Sequence, residues 1–171
     1  MALYVFGYGS LMWRPGFAYE RRHSATIRGL HRRLCVYSVA HRGTPERPGL
    51  VMGLDRGGAC RGVVFEVSED KRDGVLAYLR ERELITHVYL ERTIAARLED
   101  GRTVEAVTYV VDRHHRQYAG KLSHEDMLAR VRGAVGKSGP NEDYVTATAD
   151  LLASAGTPDP ALSALAIALR G

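Results

Sequence analysis

The sequence predicts an α+β fold with a curled or barrel-like sheet. Strand-like segments fill the first two thirds of the chain around a single helix, and helical segments gather at the end. That order is unlike the alternation of strand and helix that marks a doubly wound parallel sheet.

From the N-terminus, the β-prone run Leu3 to Phe6 leads into Gly7-Tyr8-Gly9-Ser10, a tight glycine turn that exposes backbone N–H groups. Ala25 to Tyr37 carries Thr26, Ile27, Leu34, Val36 and Tyr37 around Gly29, which predicts one or two strands with a break. His41 to Gly58 is rich in glycine and proline and predicts a long surface loop, interrupted by a strand at Leu50 to Leu54. Arg61 to Val67 predicts a buried strand. Ser68 follows as an N-cap, with Glu69 and Asp70 in the first turn of a helix that runs from about Glu69 to Leu84. Val88 to Leu98 and Arg102 to Asp112 predict two strands joined at Glu99-Asp100-Gly101, where Asp-Gly signals a hairpin. Ser123-x-x-Asp126 resembles a capping box, with Asp in the usual place of Glu or Gln, opening a helix towards Val135. Another helix begins near Asn141, and Pro158-Asp159-Pro160 separates it from a last apolar helix, Ala161 to Leu169.

At 171 residues and 45% hydrophobic, the chain suits one compact domain over residues 1–171. A domain of about 150 residues buries roughly 68–70% of its unfolded surface, and a second core would be starved. No apolar run approaches the roughly 18 residues that read as a membrane span, so a soluble, cytoplasmic protein with no membrane partner is expected. Cys35 and Cys60 are the only cysteines and predict buried thiols rather than a disulfide framework. The adjacent pair His114-His115 would point in different directions on either a strand or a helix, so no metal is expected.

A net charge of +4 and a pI near 9.2 invite a nucleic-acid partner. However, Lys71, Lys121 and Lys137 are the only lysines among 24 basic residues, and the arginines are spread along the chain with no interleaved aromatics. Nucleic acid is therefore set aside. Oligomeric state has no signal in the sequence.

Two places have the composition of a reactive site. The turn Gly7-Tyr8-Gly9-Ser10 suits an anion nest, in which successive N–H groups converge on a carboxylate or phosphate, and it equally suits an ordinary turn after a strand. It lacks the third glycine of a dinucleotide fingerprint and the Gly-Lys-Ser/Thr end of a phosphate loop. On the central helix, Val75, Leu76 and Leu79 define a buried stripe that Glu83 continues, while Glu81 falls on another face. A carboxylate there is either desolvated, with a raised pKa suited to proton transfer, or paired with a basic neighbour. Arg72, Arg80 and Arg82 have no assigned place. Ser10 lacks the nucleophile-elbow pattern, and Cys35 reads as a small buried hydrophobe.

Taken together, these segments resemble the ChaC-like glutathione-specific γ-glutamylcyclotransferases over nearly the whole chain, Val5 to about Leu165. The marks are Val5-Phe6-Gly7-Tyr8-Gly9-Ser10-Leu11-Met12-Trp13, the run His41-Arg42-Gly43-Thr44-Pro45-Glu46-Arg47-Pro48-Gly49, and Gly57-Gly58-Ala59-Cys60-Arg61-Gly62-Val63. They continue through Tyr78-Leu79 with Arg82-Glu83, Gln117-Tyr118-Ala119-Gly120, and Ser138-Gly139-Pro140-Asn141 before Tyr144.

The resemblance implies a small mixed β-barrel with flanking helices and an enzyme that cleaves glutathione to 5-oxoproline and cysteinylglycine without metal or organic cofactor. By position in the motifs, Glu83 matches the catalytic glutamate, Val5, Phe6, Gly7, Tyr8, Gly9, Ser10 and Leu11 match the substrate-binding loop, and Tyr118 matches a tyrosine near the substrate. One departure touches substrate preference: many members follow Arg-Glu with Lys-Gly-Gly-Tyr, where this chain has Leu84-Ile85-Thr86-His87-Val88-Tyr89.

Overall fold

The structure, a computed structural model, describes residues 1–171. Five strands, β1 (Leu3–Gly7), β2 (Arg21–Ser38), β3 (Gly49–Val67), β4 (Tyr89–Leu98) and β5 (Thr103–Val111), close into a barrel in the order β1-β3-β2-β4-β5. β1 runs antiparallel to β3, with Leu3 opposite Val67 and Gly7 opposite Val63, and parallel to β5 through Val5 and Val107. That parallel pair makes the barrel mixed, as the family resemblance implies. β4 and β5 form the expected hairpin, and Gly101 turns it at φ +92.

Two strands are longer than the sequence suggests. β2 runs unbroken through Gly29, and β3 takes in both Leu50 to Leu54 and Arg61 to Val67, so the predicted loop ends at Pro48. The reason is glycine. Gly29 (φ +87), Gly57 (φ +107) and Gly58 (φ +67) take left-handed backbone inside the strands, which interrupts the side-chain alternation without interrupting the strand.

The chain divides into two compact units. The first comprises Met1–Arg32 and Leu54–Asp112 and holds β1, β4, β5 and helix α1 (Arg72–Glu83). One core cluster, with Phe6, Ile27, Leu54, Val64, Leu98 and Ala106 among its members, fills the barrel portion. A second packs the α1 stripe, Val75, Leu76 and Leu79, onto Leu3, Val5, Leu11, Val67 and Tyr109. α1 starts later than predicted, behind a single 3-10 turn at Glu69–Lys71. Ser68 precedes that turn in extended backbone with no side-chain capping bond, so it marks the entry without capping it.

The second unit comprises Arg33–Gly53 and Arg113–Gly171. Helix α2 (His124–Val131) is capped as predicted, Ser123 Oγ accepting from the Asp126 N–H at 3.1 Å. It stops short of Val135 because Arg132 and Gly133 make a tight turn, Gly133 at φ +76 and the Ala134 N–H returning to Val131 O at 3.3 Å. The short strands β6 (Val135–Gly136) and β7 (Gly139–Pro140), which the sequence reading lacked, lead into α3 (Asn141–Ser154). α4 (Pro160–Arg170) begins at Asp159, whose Oδ1 accepts from the Leu162 N–H at 3.0 Å. Cys35 and Cys60 are buried and in no disulfide.

Two motifs nearly a hundred residues apart meet in this unit. The N–H groups of Lys137 and Ser138 donate to Ala40 O and His41 O at 2.8 and 2.9 Å. Arg42 donates to Pro140 O at 3.1 Å and lies over the Tyr144 ring, whose hydroxyl accepts from the Met52 N–H at 2.9 Å. Asn141, with no exposed surface, accepts from the Leu50 N–H at 2.8 Å and donates to Leu50 O at 2.9 Å. Gly49 admits it: a Cβ at 49 would lie 2.7 Å from Asn141 Oδ1.

Asn141→Ala leaves both buried Leu50 groups without a partner. Each unsatisfied group costs about 1–3 kcal/mol, so the variant should lose roughly 2–6 kcal/mol, read as a lower urea midpoint at unchanged slope.

Candidate active site

Every element of the candidate site belongs to the first unit. β1 delivers the chain into the glycine turn, and both its neighbours fix it there. Val5 and Phe6 have no exposed surface and Leu11 is 6% exposed, so their side chains belong to the core, while Ser10 is exposed. Thr108 Oγ1 donates to Phe6 O at 3.0 Å. Gly62 lets β3 approach closely, since a Cβ there would stand 2.7 Å from Phe6 Cζ. Arg32, buried, donates from Nε to Tyr8 O at 2.9 Å and from its terminal nitrogen to Arg61 O.

After Gly9 the chain makes one 3-10 turn, Ser10–Met12. Its closing bonds come from Met12 N–H to Gly9 O at 2.9 Å, and from Trp13 and Arg14 N–H to Ser10 O at 3.1 and 2.8 Å. The N–H groups of Ser10 and Leu11 lie ahead of the first closing bond and take no part in the turn, which is the general condition of the leading donors of a helical turn. A Cβ built on Gly9 meets no atom of the protein within 4 Å, whereas one on Gly7 would lie 3.0 Å from Leu11 Cβ.

Glu83 closes α1, one turn beyond buried Leu79, with its side chain 18% exposed. Burial pushes its carboxyl pKa up, and the adjacent Arg82 charge opposes the shift without cancelling it. Arg82 Nε stands 3.5 Å from Glu83 Oε1, an ion pair too long for a good hydrogen bond. The two alternatives for Glu83 thus coexist: it has a cationic neighbour, and desolvation still wins. Behind it Tyr109, on β5, donates to Glu91 of β4 at 2.9 Å, and Arg80 grips Glu91 with two bonds of 3.0 Å. Burial and the Glu91 carboxylate raise the Tyr109 pKa, so that phenol stays protonated.

Sequence reasoning left Arg82 unplaced, and the structure gives it the most connected position in the site. One terminal nitrogen donates to Arg14 O at 2.7 Å, Pro15 O at 3.2 Å and Tyr78 Oη at 3.2 Å. The other donates to Ser10 Oγ at 3.0 Å. The segment it holds is pinned further by aromatics. Phe17 packs edge-on against Phe65 and Tyr78, centroids 5.6 and 6.4 Å away, and Gly16 (φ +77) lies so close that a Cβ would stand 2.7 Å from Tyr78 Cζ. The only sequence signal for Arg82 was its place beside Glu83 in a motif, since helical periodicity says nothing about a long side chain that reaches off its own face.

Glu83 and the glycine turn are therefore joined through one guanidinium. Tyr118 belongs to the second unit. There its hydroxyl accepts from Arg33 at 2.9 Å and from Arg113 Nε at 3.1 Å, and the Arg113 guanidinium lies 5.4 Å over its ring. No group of three or more His, Cys, Asp or Glu side chains is arranged to hold a metal ion, and no helix is long and apolar enough to cross a membrane.

A small mixed barrel carrying a glycine turn opposite a partly buried helical carboxylate defines the class, and comparison with known proteins agrees with it. The family model described as ChaC-like protein matches residues 3–170, and the chain belongs to that family. It is 32% identical over 168 residues to the glutathione-specific γ-glutamylcyclotransferase of Escherichia coli (strain K12), covering 98% of this chain and 73% of that one. It is 34% identical over 155 residues to glutathione-specific γ-glutamylcyclotransferase 1 of Danio rerio, covering 88% and 79%. Among solved structures, the γ-glutamyl cyclotransferase specific to glutathione from yeast superposes with a TM-score of 0.85 at 22% identity, over 99% of this chain and 98% of that one, a likeness of fold. The α+β barrel predicted from the sequence is the fold observed.

Proposed function

We propose that this protein is a γ-glutamylcyclotransferase that cleaves glutathione to 5-oxoproline and cysteinylglycine, with Glu83 as general base and acid and the Gly7 to Leu11 turn as the cradle. The observation that carries the site is a single carboxylate at the end of α1, burial having raised its pKa, tied through Arg82 to a turn whose Ser10 and Leu11 N–H groups take no part in its own bonding. The names of the relatives supply the substrate.

In the reaction the α-amine of the substrate attacks its own γ-carbonyl carbon. The new C–N bond closes a five-membered lactam, and the amide bond to cysteine breaks. A free α-ammonium has a pKa of about 7.7–8.0, so a proton must leave before or during attack, and Glu83 takes it. The same carboxyl then hands the proton to the departing nitrogen, so no enzyme nucleophile is needed and no cofactor is called for. A raised carboxyl pKa suits both halves, because the acid form must be accessible near neutral pH. Backbone N–H groups of the turn hold either the substrate carboxylate or the oxygen that gains charge as the ring closes, and one preorganised oxyanion donor is typically worth about 2.7–4 kcal/mol.

The substrate is a soluble tripeptide, which suits a cytoplasmic enzyme with neither nucleic acid nor membrane as partner. Incubation with glutathione should release 5-oxoproline and cysteinylglycine in equal amounts, with a chelator present throughout. Glutathione left intact, or a γ-glutamyl amino acid consumed in preference when the two compete, would overturn the assignment.

A further inference from the structure

We propose that Arg82 is the positioning residue of the site: its guanidinium sets the distance between the glycine turn and the Glu83 carboxylate by holding Ser10, Arg14 and Pro15 from one side while standing beside Glu83 on the other. The inference rests on the role given above to Glu83 and names the residue that brings base and cradle together.

The geometry is specific to arginine. The fork spends its terminal nitrogens on four acceptors, Arg14 O, Pro15 O, Tyr78 Oη and Ser10 Oγ. A lysine ammonium has three donors on one atom and cannot span that set. Neighbouring residues on a helix do not normally face each other. Here Arg82 and Glu83 do, because α1 ends at Glu83 and the arginine turns along the helix end towards the segment after β1.

Nε reaches only to 3.5 Å from Oε1. The cation therefore acts on Glu83 by its field, and the lone pairs of the carboxylate stay available to a substrate proton. The other titratable groups around Glu83 come from the barrel. Tyr109 of β5 feels its charge, and Glu91 of β4 holds Tyr109 while being held by Arg80. That second cation is thereby committed to Glu91, which leaves Arg82 as the charge that opposes the burial of Glu83.

Fork and charge can be separated by substitution. Oxoproline release from glutathione is measured for wild type, Arg82→Lys and Arg82→Met over pH 5–9, with a thermal melt for each. Arg82→Lys keeps the charge and loses the fork. KM should rise about 10–100-fold, the scale on which small misplacements act, with the acid limb of the kcat profile where the wild type has it. Arg82→Met loses both, so KM should rise similarly and the acid limb should move to higher pH, because burial of Glu83 is then unopposed.

A purely structural arginine would lower the melting temperature and leave KM and the acid limb unchanged, and that result overturns the proposal. Should Arg82→Met fail to fold, Ser10→Ala takes its place beside Arg82→Lys. A raised KM in both supports the role, and wild-type KM in both removes it. Wild-type turnover with unaltered variants would sink the role of Arg82 alone, whereas no turnover in the wild type would overturn this inference together with the function on which it rests.

Discussion

Glu83→Gln should bind glutathione and release 5-oxoproline about 10²–10⁴-fold more slowly than the wild type, the range that a positioned general base contributes. The substitution is nearly isosteric and removes the capacity to exchange a proton together with the charge that faces Arg82. It should also stabilise the protein at neutral pH. Burial raises the folded-state pKa of Glu83 above its ordinary value. Between the unfolded pKa, about 4.3, and the raised folded pKa, the native state holds more protons than the unfolded state, so stability falls as pH rises through that window. Gln has no such titration. The variant should therefore melt higher than the wild type at pH 7, and the difference should vanish below about pH 4, where the carboxyl is protonated in both states. Turnover near the wild-type rate would remove Glu83 as the base. Lost activity with a lowered melting temperature at pH 7 would instead make it a structural ion-pair partner of Arg82.

Glu83 was legible because helical periodicity is a strong signal. Val75, Leu76 and Leu79 fix the buried face, and the next position on that stripe is the carboxylate. The β4–β5 hairpin was legible for the same kind of reason, since Asp100-Gly101 can hardly serve another turn. What the sequence concealed was set by tertiary structure. Gly57 and Gly58 look like loop residues, yet they sit inside β3, because a left-handed glycine bends a strand while the barrel keeps its neighbours paired.

The bonding roles of Arg32, Arg82 and Asn141 were concealed for a further reason. Each binds groups far along the chain, main-chain groups at Tyr8, Arg14, Pro15 and Leu50 and the Ser10 hydroxyl, and no local pattern reports a long-range hydrogen bond. The motifs that carried the family resemblance divide accordingly. Residues 5–13 and 82–83 meet at the candidate site, while 41–49 and 138–144 meet in the second unit, where the Asn141 and Tyr144 side chains bind the backbone of Leu50 and Met52 and Gly49 leaves room for Asn141. Part of what marks this family is thus packing rather than chemistry.

Gly9→Val should abolish substrate binding with the fold intact. The position is a clean probe because a Cβ at Gly9 meets nothing of the protein within 4 Å, so the added atoms project into open space beside the proposed cradle without pressing on the fold. Gly7 is a poorer probe, since its Cβ would press on Leu11, and Gly62 is poorer still, since its Cβ would press on Phe6. Turnover alone cannot separate lost binding from lost chemistry, so the substitution belongs in the Glu83→Gln background, which binds without consuming the substrate. In that background glutathione at a hundred times its Kd should stabilise the protein by about 2.7 kcal/mol, seen as a rise in melting temperature. With Gly9→Val added, the same concentration should give no rise, while the ligand-free melting temperature shows that the fold remains. In the active enzyme kcat/KM should fall by at least about 100-fold, because a substrate displaced by one side chain no longer presents its amine to its own carbonyl. An unchanged glutathione-induced rise would show that the turn carries no substrate, and the N–H groups of Ser10 and Leu11 would then have to be assigned to something other than the γ-glutamyl end.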